Sequence, residues 1–130
     1  MTNHPAADGP MVLVVDDDPN IQRWAGAILG SVGCRVSHAP DVLTGIMALR
    51  SARPDVIVLD LHLPGGGGRV FLERLRRLPA FQGIPVLILS ADLNPHTAGP
   101  LQEFGITGLL EKPVSGQLFI RSVLQAARPG

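Results

Sequence analysis

Apolar residues fall in short blocks along this chain, and most blocks stop at a charged or hydroxyl-bearing residue. Met11 to Val15 is an unbroken apolar run that ends in Asp16-Asp17-Asp18. After Pro19, residues Ile21, Trp24, Ala25, Ile28, Leu29 and Val32 recur at helical spacing. Asp18 suits an N-cap with Pro19 at the first helical position, and Gly33 marks the exit. The same alternation returns: a strand over Arg35 to His38, then a helix capped by Asp41 that carries Leu43, Ile46, Met47 and Leu49. Val56 to Leu59 runs into Asp60, and Gly65-Gly66-Gly67-Gly68 leads to a helix with Phe71, Leu72, Leu75 and Leu78 inward. Pro85 opens the run Val86 to Leu89, which enters Ser90. Asn94-Pro95 starts a weaker helix containing Leu101 and Phe104, which Pro100 is expected to shorten or kink. Thr107 to Leu110 is a last strand ending at Glu111-Lys112-Pro113. Ser115 caps a final helix with Leu118, Phe119, Ser122, Val123 and Ala126 on one face.

Five strands thus alternate with five helices, and three of the strands are continuously apolar, as in a parallel sheet covered on both sides. Right-handed crossovers and this length predict an α/β, flavodoxin-like doubly wound (βα)5 fold with a five-stranded parallel sheet of order 2-1-3-4-5. The predicted division is a flexible tail over 1–10, one domain over 11–127, and a tail or the start of a linker over 128–130.

Composition narrows the function classes. The 130 residues fit a single core, and 45% hydrophobic against 17% charged is too apolar for a disordered chain. A formal net charge of zero gives no drive toward nucleic acid or an acidic membrane surface. The charge-free stretch Trp24 to Cys34 is too short to span a bilayer, and the first ten residues lack a signal peptide's apolar run. The single cysteine, Cys34, suits a reducing compartment, so a cytoplasmic protein is expected. Of the eleven basic residues Lys112 alone is lysine, a compact point charge suited to a phosphoryl oxygen where arginine is a broad fork.

In such a sheet, ligands sit beyond the carboxyl ends of the strands. Strand one delivers Asp16, Asp17 and Asp18 there, strand three Asp60, strand four Ser90 and strand five Lys112. Two carboxylates 4 Å apart repel by roughly 4 kcal/mol at an effective dielectric of about 20, so three in one pocket raise their pKa values or draw in a cation. Hard oxygen ligands of this kind suit Mg²⁺. Asp18 is read as a helix cap, and Asp16, Asp17 and Asp60 as a metal site. A metal beside a carboxylate, a hydroxyl and a lysine is a phosphoryl-transfer set, with Asp60 placed as the nucleophile and Ser90 as a donor to the transferred group.

With VLVVDDDPN, VIVLDLHLPGGGG, VLILSAD and LLEKP in order at strand ends, residues 11–127 resemble the receiver domain of two-component response regulators. The resemblance implies that Asp60 is the phosphoacceptor. It implies that Asp17, Asp60 and the backbone carbonyl of His62 hold Mg²⁺ (or Mn²⁺) directly, and Asp16 mainly through water. Backbone groups of His62 and Ala91 would contact phosphate, Ser90 and Leu109 would occupy the switch positions, and Lys112 would meet the phosphoryl group across a cis bond to Pro113. The implied partners are a sensor histidine kinase or histidine phosphotransferase, and a downstream protein or an output domain outside these residues.

The chain departs from the family pattern at three places. Leu109 stands where an aromatic is usual, the loop after Asp60 has glycine where polar residues are common, and Pro95 and Pro100 interrupt the helix after Ser90. The glycines predict a mobile loop, since each costs roughly 0.5–1 kcal/mol of ordering relative to alanine. Trp24 and Cys34 are read as core residues, Arg69, Arg74, Arg76 and Arg77 as a solvated face, and His62 as exposed or positioning water. Two other readings stand beside the switch. One is a degenerate receiver that binds a protein constitutively. The other is an aspartyl-phosphate phosphohydrolase of haloacid-dehalogenase type, whose motif needs an Asp where His62 stands.

Overall fold

The computed structural model describes residues 8–64 and 66–128. Its elements are β1 (Met11–Val15), α1 (Pro19–Ser31), β2 (Arg35–Ala39), α2 (Val42–Ser51), β3 (Val56–Leu59), α3 (Gly67–Arg77), β4 (Val86–Ser90), α4 (Pro95–Ala98), β5 (Gly108–Glu111) and α5 (Gly116–Ala126). Short 3₁₀ helices cover Pro79–Phe81 and Gly99–Phe104. The five strands form one parallel sheet in the order β2-β1-β3-β4-β5, as the alternation predicts.

The apolar runs are unbroken because the central strands bury both faces. Leu13, Val15, Ile57, Leu59, Val86 and Ile88 pack on one side with Ile46, Leu49, Phe71, Leu72 and Leu75 of α2 and α3. Val12, Val14, Val56, Val58, Leu87 and Leu89 pack on the other with Ala25, Leu29, Phe119 and Val123 of α1 and α5. Truncating such a residue to alanine costs about 2–5 kcal/mol, so these two layers hold the sheet. Asp18, Asp41 and Ser115 cap their helices as expected, accepting from the backbone N–H of Asn20 (2.9 Å), Thr44 (2.7 Å) and Leu118 (3.1 Å).

Four expectations change. Leu43 and Met47 of α2 are exposed, while Val42, Gly45, Ile46 and Leu49 face inward. Helix initiation at Asp41 sets that stripe, and Gly45 belongs to it because a Cβ there would lie 2.8 Å from the Phe71 ring. Leu118 is exposed too, and the inward face of α5 is Phe119 and Val123 flanked by Ile120 and Leu124. Leu78 lies past the end of α3, at its C-cap. Arg76 is not solvated: its guanidinium donates to the carbonyls of Phe104 (2.7 Å), Gln82 (2.8 Å) and Ile84 (3.1 Å). Pro100 does shorten its helix, since α4 has four residues and continues as the 3₁₀ turn. Of the tail expected over 1–10, residues 1–7 lie outside the described residues. Gly9 and Pro10 are pinned, with Gly9 N donating to Gly33 O (2.8 Å) and Arg35 N to Pro10 O (2.9 Å). Gly65, in the loop expected to be mobile, and residues 129–130 of the predicted C-terminal tail also lie outside them. Among the described residues no helix is long and apolar enough to cross a membrane.

Candidate functional site

Each residue that follows a strand here is held by one more ladder bond. Asp16 N donates to Ala39 O (3.0 Å), Asp60 N to Val15 O (2.9 Å) and Lys112 N to Ser90 O (2.9 Å). The strand register therefore fixes where these side chains start, and they converge at the carboxyl edge of the sheet.

Asp16 is buried and well partnered. One carboxylate oxygen accepts from Asp18 N (2.9 Å) and the other from Lys112 Nζ (2.8 Å), while Gln22 Nε2 donates to its backbone carbonyl (2.8 Å). Burial pushes the Asp16 carboxyl above its usual pKa, against the opposing pull of Lys112 and Asp18 N–H. Asp60 is also buried, accepts from His62 N (3.2 Å), and lies 3.6 Å from Lys112 Nζ. For Lys112, burial alone would lower the ammonium pKa. The bond to Asp16 and the charges of Asp16, Asp60 and Asp18 outweigh it, and the net direction is upward.

Exposed Asp17 completes the trio. Asp16, Asp17 and Asp60 each offer an oxygen within 4.8 Å of the others. Three carboxylates against one ammonium leave an excess of negative charge in a half-buried place, which fits a hard divalent cation. Ser90 supplies a second sign that an anionic ligand fits here. It is 0% exposed, and its Oγ has no hydrogen-bond partner among the described residues. A buried unpaired hydroxyl costs about 1–3 kcal/mol, so an acceptor is wanted beside it.

The sequence-derived set is thus brought to one edge, with two exceptions. Leu109 sits on β5 in register with Ile88 and is 40% exposed, away from the carboxylates. The His62 imidazole is exposed and lines a cleft of about 230 Å³ with Arg69 and His96. Lys112-Pro113 is cis. Ala91 lines a mainly apolar cavity of about 560 Å³ with Ile21, Trp24, Leu89, Val114 and Lys112. Trp24, read as core, therefore has two surroundings: its ring lies 4.8 Å from that of Phe119, and it also borders this cavity. Sequence reading missed Gln22, which helix spacing from Asp18 could have suggested, and Arg76, for which no local signal exists.

Comparison with known proteins agrees with this geometry. Residues 12–124 match the model of the response regulator receiver domain. The chain is 37% identical over 109 residues to a protein-glutamate methylesterase/protein-glutamine glutaminase of Anaeromyxobacter dehalogenans, covering 82% of this chain and 30% of that protein. It is 34% identical over 102 residues to the KDP operon transcriptional regulatory protein KdpE of Escherichia coli, covering 78% of this chain and 44% of the relative. It spans less than half the length of either. The chemotaxis response regulator CheY4 of Vibrio cholerae superposes with a TM-score of 0.84 at 26% identity, over 90% of this chain and 98% of that one. With its sheet order, its strand-end residues and these matches in agreement, the chain belongs to the response regulator receiver domains of two-component signalling.

Proposed function

We propose that this receiver is a phosphorylation-dependent switch in which Asp60 accepts a phosphoryl group from a histidine kinase or histidine phosphotransferase. The observation that carries the reading is buried Asp60 beside both the Lys112 ammonium, 3.6 Å away, and the fellow carboxylates Asp16 and Asp17. An Asp60 carboxylate oxygen attacks phosphorus while the P–N bond of the donor imidazole breaks, and the bonding pair stays on nitrogen. Lys112 offsets charge that develops on the transferred oxygens, and Ser90 Oγ, without a partner among the described residues, donates to one of them. Asp17, Asp60 and the His62 carbonyl, with Asp16 behind them, would hold Mg²⁺ or Mn²⁺, which neutralises further charge on the phosphoryl group. Backbone N–H groups of His62 and Ala91 are suitably placed in the chain to add donors. The domain works on itself and turns over no outside substrate. Its output is altered binding of a downstream protein or of a domain beyond these residues, inside the cytoplasm, with no part for nucleic acid or membrane.

The test is chemical. With Mg²⁺ and acetyl phosphate the protein should gain one acid-stable, base-labile phosphoryl group, seen by intact mass. Modification that persists in Asp60→Ala, or in excess chelator, would overturn the assignment. A constitutive binding module, the reading favoured by aliphatic Leu109, would show no modification. A phosphohydrolase would instead release phosphate catalytically from added phosphate monoesters.

A further inference from the structure

Two arginines of α3 close on one residue at the far end of the segment that follows Ser90. The Arg69 guanidinium lies over the Phe104 ring, 5.7 Å from its centroid, and Arg76 Nε donates to the Phe104 carbonyl at 2.7 Å. The arginines are seven residues apart, two helical turns, and so share a face of α3. Arg76 also reaches the Gly105 carbonyl (3.5 Å), so it covers the acceptors left open where the 3₁₀ helix ends. Its remaining bonds run to a different body: the carbonyls of Gln82 and Ile84, with Gln82 Nε2 returning a bond to Arg76 O at 3.1 Å. Arg76 therefore ties a platform, made of α3 and the turn before β4, to the end of the 91–104 segment.

That segment is short of regular structure. It consists of a four-residue helix and a 3₁₀ turn that starts at Gly99-Pro100, and among its described side chains Ala98 and Leu101 are buried while Leu93 and Phe104 pack partly buried against the core. Its other end begins at Ser90, whose hydroxyl has no partner among the described residues. Movement of Ser90 toward a phosphoryl oxygen pulls on one end while the arginines hold the other. The phosphoacceptor loop leads directly into α3, so the helix that carries the arginines starts at the same site.

We propose that Arg69 and Arg76 are positioning residues that clamp Phe104 in the unphosphorylated state and give way when Asp60 is phosphorylated. The clamp rests on the switch reading of Asp60, since a resting state can be opposed only by a phosphorylated one. A ligand shifts such an equilibrium only through contacts that differ between the two states, so loosening a resting-state clamp must tighten binding of a phosphoryl mimic.

The experiment measures beryllofluoride affinity in the presence of Mg²⁺ for wild type, Arg76→Gln, Arg76→Lys and Arg69→Gln, with amide hydrogen exchange over Phe104–Thr107 in both states. Arg76→Gln should bind beryllofluoride about two- to tenfold more tightly, the range of one net hydrogen bond, with Arg76→Lys between it and wild type. Exchange in Arg76→Gln should quicken in the free protein and stay near wild type in the beryllofluoride complex. Arg69, with a side chain 53% exposed, is a milder site for substitution, so Arg69→Gln, expected to tighten beryllofluoride binding in the same direction, carries the test where Arg76→Gln fails to fold. Unchanged affinity, with exchange faster in both states alike, would reduce the arginines to a structural brace and overturn the proposal. Absence of Mg²⁺-dependent beryllofluoride binding in wild type would instead overturn the phosphoacceptor reading, and the clamp with it.

Discussion

Lys112 pairs first with Asp16, its Nζ lying 2.8 Å from Asp16 Oδ2 and 3.6 Å from Asp60 Oδ2. The ammonium stands as a resident cation among carboxylates that would also attract a divalent ion. Its hold is incomplete, because burial still drives the Asp16 carboxyl above its ordinary pKa despite the ion pair. Metal and lysine therefore compete for the same negative charge.

Replacing Lys112 with Met keeps the length of the side chain and removes that cation. Metal-free stability should fall by about 1–3 kcal/mol, between the values for exposed and for fully buried ion pairs. Mg²⁺ should bind about fivefold more tightly, since three carboxylates then lack a competitor at close range. Urea unfolding with and without Mg²⁺, beside calorimetric titration, reads both quantities. Weaker Mg²⁺ binding in the variant would mean that the lysine helps to hold the metal rather than competing with it.

Gly68 is constrained by a close approach of backbone. A Cβ there would lie 2.8 Å from the Asp60 carbonyl oxygen and 3.0 Å from Leu61 Cα, both backbone atoms that move only with Asp60 itself. Alanine in a helix normally gains up to about 1 kcal/mol over glycine, but an overpacked site loses about 1–3 kcal/mol. Gly68→Ala should be destabilised by about 1 kcal/mol and modified more slowly by acetyl phosphate. A variant more stable than wild type would show that the first turn of α3 relaxes freely away from Asp60.

Much of this was legible in the residues because each strand ends where the chemistry begins. Val15-Asp16, Leu59-Asp60 and Leu89-Ser90 mark the sheet edge by polarity alone. Legibility stopped where a side chain's role depends on a distant element. Gly45 hid the buried stripe of α2, because its place on that stripe is owed to the Phe71 ring arriving from α3. Arg76 looked like any surface arginine, because the carbonyls it serves belong to residues 82–84 and 104–105. The final glycine of the loop was visible as a glycine, whereas its reason, the Asp60 carbonyl, is a tertiary fact.

A pH dependence should come from His38 on edge strand β2. His38 is an exposed residue, but its Nε2 lies against α1, 3.2 Å from where a Cβ on Gly26 would stand, and this partial desolvation lowers its pKa below the ordinary 6.5. A histidine with a depressed folded pKa takes up protons more readily when unfolded. Its contribution is thus present above 6.5 and is lost as pH falls toward the lower folded value. The melting temperature should drop on going from about pH 7 to about pH 5, and the drop should shrink in His38→Gln. Parallel profiles for the two proteins would assign the slope to carboxylates instead.

If Asp60 is phosphorylated as proposed, Ser90 is the residue whose surroundings should change most. Its hydroxyl is fully buried with no partner among the described residues, so the resting fold keeps it at a cost. Removing an unsatisfied hydroxyl leaves no bond broken, and only a hydroxyl-sized gap in the packing. Ser90→Ala should therefore be as stable as wild type or more stable by about 0.5–1 kcal/mol, against the usual direction for a buried substitution. The same variant should bind beryllofluoride with Mg²⁺ about tenfold more weakly, because a charge-assisted bond to the anion is lost. Ser90→Thr, which keeps the hydroxyl, should recover the binding, while its extra methyl lowers the melting temperature in a site already packed. Thermal unfolding and mimic affinity for the three proteins decide the matter together. A clear loss of stability in Ser90→Ala would show that Oγ has a resting partner, and unaltered mimic affinity would remove Ser90 from the phosphoryl site.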